Sequence, residues 1–180
     1  AVTLFWREGY TATGGDTISD RANASKSTLY KHFSSKEDLI VAALDFEGTA
    51  WRSWFYGGLG QVHGGPIARL LGLFDVLEDW FRSPHFYGCA FLNAISEAAC
   101  DDDRTRALAN AHKAHLLTWL HSQALELGTA PKALSQAMIV LIDGAIMAAH
   151  ASRDATVAQS AKSLAAAYLK ENARPNGRAA

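Results

Sequence analysis

The sequence predicts an all-α protein, with an N-terminal three-helix domain built around a helix-turn-helix and a larger helical bundle behind it. Apolar residues recur at helical spacing through most of the 180 residues. Alternating runs of Val, Ile and Thr are nearly absent, and no Asn-Gly turn joins two apolar runs. Only four prolines occur, and Pro66 and Pro131 stand where a helix can begin without a backbone N–H.

The elements follow in order. A first helix ends near Glu8, where Gly9 can supply a left-handed cap. Short helices are expected over 15–22 and 26–33, with Asn23 between them, a residue that tolerates the left-handed turn conformation. Ser25 is placed as N-cap of the second, its hydroxyl facing the Thr28 N–H. Ser35 caps a long helix running from Lys36 to about Tyr56, with Asp38 at its third position in capping-box fashion. Gly57 to Gly65 reads as a flexible link. Further helices are expected over 66–82, 89–100, 104–127, 131–152 and 156–172. Asp101-Asp102-Asp103 before Arg104 marks a helix start, with acids set against the N-terminal dipole. The segment 173–180 has no apolar pattern and reads as a flexible tail. The resulting division is 1–45 for the helix-turn-helix domain and 46–172 for the body, with no internal repeats.

Apolar residues make up 49% of the chain and charged residues 19%, which excludes disordered and fibrous classes. The net charge of -1 gives no global nucleic-acid signature, so any such surface is local. Cys89 and Cys100 are too few for a disulfide framework and suit a reducing, cytoplasmic setting. The chain opens at Ala1 in what reads as mid-helix, which suggests an N-terminus lying upstream, and shows no signal-peptide pattern. Its longest apolar run, 137–149, is broken by Asp143 and falls short of the roughly 20 residues of a spanning helix. No membrane association is expected.

The segment from Leu4 to Leu44 is the most informative. Leu29 and Phe33 lie four apart and are expected to pack inward with Leu4, Phe5, Ile18 and Ala22. Lys26 and Tyr30, and Ser27 and Lys31, share the same spacing on the opposite face. That face is cationic and hydroxylic, which suits phosphate oxygens and major-groove edges. Lys36 stands in the first turn of its helix, where a cation beside free backbone N–H groups favours a phosphate. Residues 1–36 carry five basic side chains against three acidic ones, enough for a local patch.

The run Leu4-Phe5, Gly9-Tyr10, Thr13, Ile18 and then Ala22 through Leu39 without a break resembles the signature of the TetR family of transcriptional regulators. It covers about the first quarter of the chain at fixed spacing. Gly88-Cys89-Ala90-Phe91-Leu92-Asn93 is similar to a sequence in one branch of that family. The sequence departs from the family at Gly14, where Ser or Thr is usual, at Ser19 (usually Ala) and at Asn23 (usually Gly). The first change weakens the cap of the first motif helix.

The resemblance implies a homodimer that sets two recognition helices in successive major grooves of a pseudo-palindromic double-stranded operator, about 34 Å apart. The implied contacts are Thr13, Ser25, Lys26, Ser27, Thr28, Tyr30, Lys31, His32 and Lys36, with Thr13, Tyr30 and Lys36 positioning the backbone. It also implies a small-molecule effector, apolar or aromatic and of unknown identity, whose binding releases the DNA. The aromatic-rich body offers Trp51, Trp54, Phe55, Phe74, Trp80, Phe91 and Trp119 as its pocket, with Asn93, Glu97, His112, His115 and Asp143 as polar fixers. The helix from Lys36 is expected to link the two sites. The last two helices are apolar on more than one face, so Ile139, Ile142, Ile146, Ala161, Ala165 and Tyr168 are expected at the dimer interface. His112 and His115 share a face without a third ligand, so no metal or cofactor is expected. Neither a nucleophile elbow nor an HExxH motif occurs. The competing reading is a small helical enzyme or lipid carrier that keeps the helix-turn-helix as scaffold.

Overall fold

The computed structural model describes residues 1–98 and 102–173. Among these, helices follow one another without a strand: α1 (Val2–Glu8), α2 (Gly15–Arg21), α3 (Lys26–His32), α4 (Lys36–Leu59), α5 (Pro66–Phe81), α6 (Ala90–Glu97), α7 (Asp103–Glu126), α8 (Pro131–Ser152) and α9 (Val157–Asn172). Each expected helix is present. The expected continuation of α6 to Cys100, Asp101 and the tail beyond Ala173 lie outside the described residues.

The glycine link is shorter than expected, because α4 continues through Gly57 and Gly58 to Leu59. A Cβ on Gly58 would stand 2.9 Å from Val76 Cγ1 of α5. The missing side chain lets the two helices approach, and that packing outweighs the ~1 kcal/mol propensity cost of a helical glycine. Gly72 of α5 is closed in the same way by Val62.

The chain forms two compact units. The first comprises Ala1–Arg52 with Cys89–His112, and the second Ser53–Gly88 with the residues from Lys113 on. Long helices α4 and α7 contribute residues to both. The first unit is therefore discontinuous, recruiting α6 and the start of α7, whereas the sequence suggested a break near residue 45.

In the first unit Leu4, Phe5, Tyr10, Ile18, Leu39, Leu44, Phe91 and Ala94 are buried, and the Phe5 and Tyr10 rings stack at 5.0 Å. Three expected core positions differ. Leu29 and Phe33 are half-buried and Ala22 is exposed; Ala22 lies just past the end of α2 at Arg21, and α3 buries no residue fully. Asp102 caps α7, its carboxylate accepting from the Thr105 N–H at 3.0 Å and hydroxyl at 2.6 Å.

The second unit is centred on Phe55, Leu70, Leu73, Phe74, Leu77, Leu120, Met138 and Ile142, all essentially inaccessible. Burying such side chains contributes about 1.5–3 kcal/mol each. Helix α9 packs on α5 and α8 through Ala158, Ala161 and Ala165, whose small side chains allow close approach. Lys162 bridges from α9 to Asp75 of α5 at 2.7 Å. By length and composition alone α8 could cross a membrane; within this unit it buries Leu134, Met138, Ile142 and Ile146.

Candidate nucleic-acid interface

Local rules shape the turn between α2 and α3. Asn23 has φ +50°, a conformation its short polar side chain tolerates, and the Ala24 N–H donates to the Ser19 carbonyl at 3.0 Å. Ser25 is extended, and its Oγ accepts from the Thr28 N–H at 3.1 Å. That is the expected cap, worth about 1 kcal/mol. No α3 residue is fully buried. Ser25, Lys26, Ser27, Thr28, Tyr30, Lys31 and His32 are all exposed, while Leu29 is half-buried. Ammonium and hydroxyl groups on one open helix face can donate to phosphate oxygens and read base edges.

Neighbours already hold three of these groups. Lys26 Nζ pairs with Asp16 of α2 at 2.5 Å, and the hydrogen bond and charge of Asp16 raise the ammonium's pKa. Tyr30 is 46% exposed, and its hydroxyl overlies Gly15, where a Cβ would stand 2.8 Å away. Lys36 Nζ donates to the Thr11 carbonyl at 2.9 Å. Gly14 caps α2 without a side-chain bond.

Thr13 does not belong to this face. It is fully buried, and its hydroxyl donates to the Gly9 carbonyl at 2.5 Å. It fixes the turn before α2 and cannot reach a phosphate from there. Gly9 itself has φ +86° but ψ 159°, so the chain leaves α1 extended and not in a left-handed helical cap. At α4, the Asp38 N–H donates to Ser35 Oγ at 3.1 Å. The Asp38 carboxylate pairs with Arg104 of α7 at 2.8 Å.

The residues expected to line an effector pocket fall into both units. In the first, His112 is stacked on Phe91 with centroids 4.0 Å apart and lies 5.2 Å from Trp51. Asn93 is half-buried, and Glu97 accepts from the Thr11 N–H at 2.8 Å. In the second unit, Phe55 and Phe74 are core residues. Trp54 and Trp80 lie 6.4 Å apart, and Trp80 meets Phe86 edge-on at 5.0 Å. His115 is exposed, Trp119 is half-buried, and Asp143 is paired with Lys113. A cleft of ≈ 300 Å³ in the first unit is lined by Tyr10, Lys36, Ile40, Ala94, Glu97 and Thr105, among others. Of the expected pocket residues it includes Glu97 alone.

Four residues expected at a dimer interface lie inside the second unit. Ile142, Ile146, Ala161 and Ala165 are buried, because α8 and α9 use those faces against each other and the core. The open apolar face is the neighbouring one. Val140 is 70% and Leu164 61% exposed, and both line a groove of ≈ 450 Å³ with Gln136, Ala137, Leu141 and Tyr168. Of the expected interface residues, Tyr168 lies there and Ile139 is half-buried.

Long-range polar links such as Glu97 to Thr11 and Arg104 to Asp38 were not among the sequence expectations. Sequence carries no periodic signal for partners so far apart.

Residues 1–43 match the family model described as bacterial regulatory proteins, tetR family. The chain is 52% identical over 44 residues to the HTH-type transcriptional activator FasR of Mycolicibacterium smegmatis, covering 24% of this chain and 20% of that one. It is 36% identical over 61 residues to the DNA-binding transcriptional repressor TetR of Mycobacteroides abscessus, covering 33% and 32%. The match thus spans between a fifth and a third of these curated relatives. Over nearly the whole chain, the fold is similar to that of a TetR-family transcriptional regulator from Streptomyces coelicolor. That similarity has a TM-score of 0.86 and 28% identity, covering 97% of this chain and 92% of that one.

Proposed function

We propose that this chain, which belongs to the TetR family of transcriptional regulators, acts in the cytoplasm as a homodimer on a pseudo-palindromic DNA operator, with α3 entering the major groove. Relatives and structural neighbours are regulators, and the chain is a regulator and not an enzyme. The observation that carries the reading is the open face of α3, Ser25 to His32, held in place by the Ser25 cap and the Asn23 turn. Repression is the direction favoured here. The matched relatives include one activator and one repressor.

The second copy is proposed to cover the α8–α9 face centred on Val140 and Leu164. Exposed apolar groups at a groove gain by excluding water, and two-fold pairing would set the recognition helices about 34 Å apart. A small apolar or aromatic effector is proposed to act through the aromatic side chains of the second unit, where Trp54 is 43% exposed. Helices α4 and α7 contribute to both units, so an effector that prefers one arrangement of these helices would shift DNA affinity, typically by about 1–3 kcal/mol.

The test is selection of duplexes from a random-sequence pool, followed by fluorescence anisotropy. Tight, salt-dependent binding to a selected palindrome that is lost in the Lys26→Ala, Tyr30→Ala double variant supports the reading. Absence of any selected sequence at low salt, or indifference to the double variant, overturns it. Sedimentation of Val140→Arg and Leu164→Arg checks the dimer, and both are expected to be monomers.

A further inference from the structure

We propose that Glu97 is a positioning residue for DNA binding: from the end of α6, its carboxylate fixes the turn that joins α1 to the helix-turn-helix. The proposal rests on the DNA-binding reading above and assigns the side chain that holds the reading head in register.

The turn Gly9–Thr13 is held from both sides at Thr11. Its N–H donates to Glu97 Oε2 at 2.8 Å, and its carbonyl accepts from Lys36 Nζ at 2.9 Å. Lys36 is itself a proposed phosphate ligand at the start of α4. One residue therefore ties α6, the entrance to α2 and the first turn of α4 together. Gly9 makes room for the carboxylate: a Cβ there would stand 3.0 Å from Oε2, and φ is +86°. Phe91 and Ala94 of the same helix are buried, and Ala94 lines one cleft together with Glu97 and Lys36. The hydrogen bond from the Thr11 N–H to the Glu97 carboxylate joins the end of α6 directly to that turn.

Both Glu97 and Thr11 are exposed. An exposed hydrogen bond adds little to global stability, because water replaces it when it opens. Its loss should loosen one turn and leave the fold intact. The sequence suggests an effector-pocket role for this side chain, but its carboxylate bonds the backbone of the turn before α2.

The experiment compares full-length Glu97→Ala, Glu97→Gln and Glu97→Met with wild type. Amide exchange at Thr11 and affinity for a palindrome selected by the wild-type chain are measured alongside the melting temperature. Glu97→Ala is expected to speed exchange at Thr11 and weaken DNA binding, each by about tenfold, with Tm nearly unchanged. Gln keeps an acceptor oxygen and should restore both. Met matches the size without an acceptor and should behave like Ala. Wild-type behaviour of Glu97→Met, or unchanged exchange in Glu97→Ala, overturns the proposal. Faster exchange with unchanged affinity overturns the positioning role alone. If the wild-type chain selects no duplex, the DNA-binding reading fails and the role falls with it, whatever the exchange shows.

Discussion

The Phe91 ring closes over Gly48: a Cβ at that glycine would stand 2.8 Å from Phe91 Cζ. The same ring is buried and stacked on His112, so it has no room to retreat. Gly48→Ala would gain up to about 1 kcal/mol of helix propensity and overpack a fixed ring, which typically costs about 1–3 kcal/mol. The expected outcome is a Tm lower by roughly 2–4 °C. Thermal melts should show that Gly48→Ala with Phe91→Leu loses less than the sum of the single changes, the mark of coupled neighbours.

Ser19 should respond in the opposite direction. Its hydroxyl is buried in α2 without a hydrogen-bond partner among the described residues. Replacing a stranded polar group with a methyl removes a desolvation penalty of about 1 kcal/mol or more. Ser19→Ala is therefore expected to raise Tm by roughly 2–4 °C, and a fall would show that the hydroxyl has a partner in solution.

Asp16 pairs with Lys26 on the face proposed to meet DNA. Asp16→Asn removes the competing charge while keeping a similar shape. It should tighten binding to the selected duplex a few-fold and steepen the dependence of log K on log salt by up to about one unit. A salt titration by anisotropy separates this from a change in folding, which would leave the slope alone.

Burial holds the Glu47 carboxyl above the usual carboxylate range. A carboxyl that is harder to ionise in the folded chain binds more protons folded than unfolded. Its contribution then falls as pH rises through the ordinary carboxylate range to the raised value. Glu47→Gln removes that loss, so the variant should melt higher than wild type at neutral pH. The advantage should vanish below about pH 4. Melts across this range check the sign, since an equal gain at every pH would point to packing.

Local chemistry made most of the fold and part of the site readable. Asn23, Ser25 and Ser35 act within three or four residues of themselves, and each does what its side chain dictates. Thr13 was misread because a threonine looks the same in a sequence whether it faces water or the Gly9 carbonyl. Ile142, Ile146, Ala161 and Ala165 were misread for a related reason. Periodicity shows that α8 and α9 are apolar on several faces, but not which face a neighbour already covers. Gly58 looks flexible in the sequence because its neighbour, Val76, is on another helix. Nothing near Glu97 in the sequence announces its partner Thr11.

Helix α3 commits no residue fully to the core. A substitution among its outward positions therefore meets solvent or a few surface neighbours, such as Asp16 beside Lys26, and the hydrophobic interior hardly registers it. Such a helix can accumulate change faster than the scaffold carrying it. Descendants of one ancestral gene could come to address different stretches of a genome while keeping the same interior, and selection could explore those addresses one residue at a time.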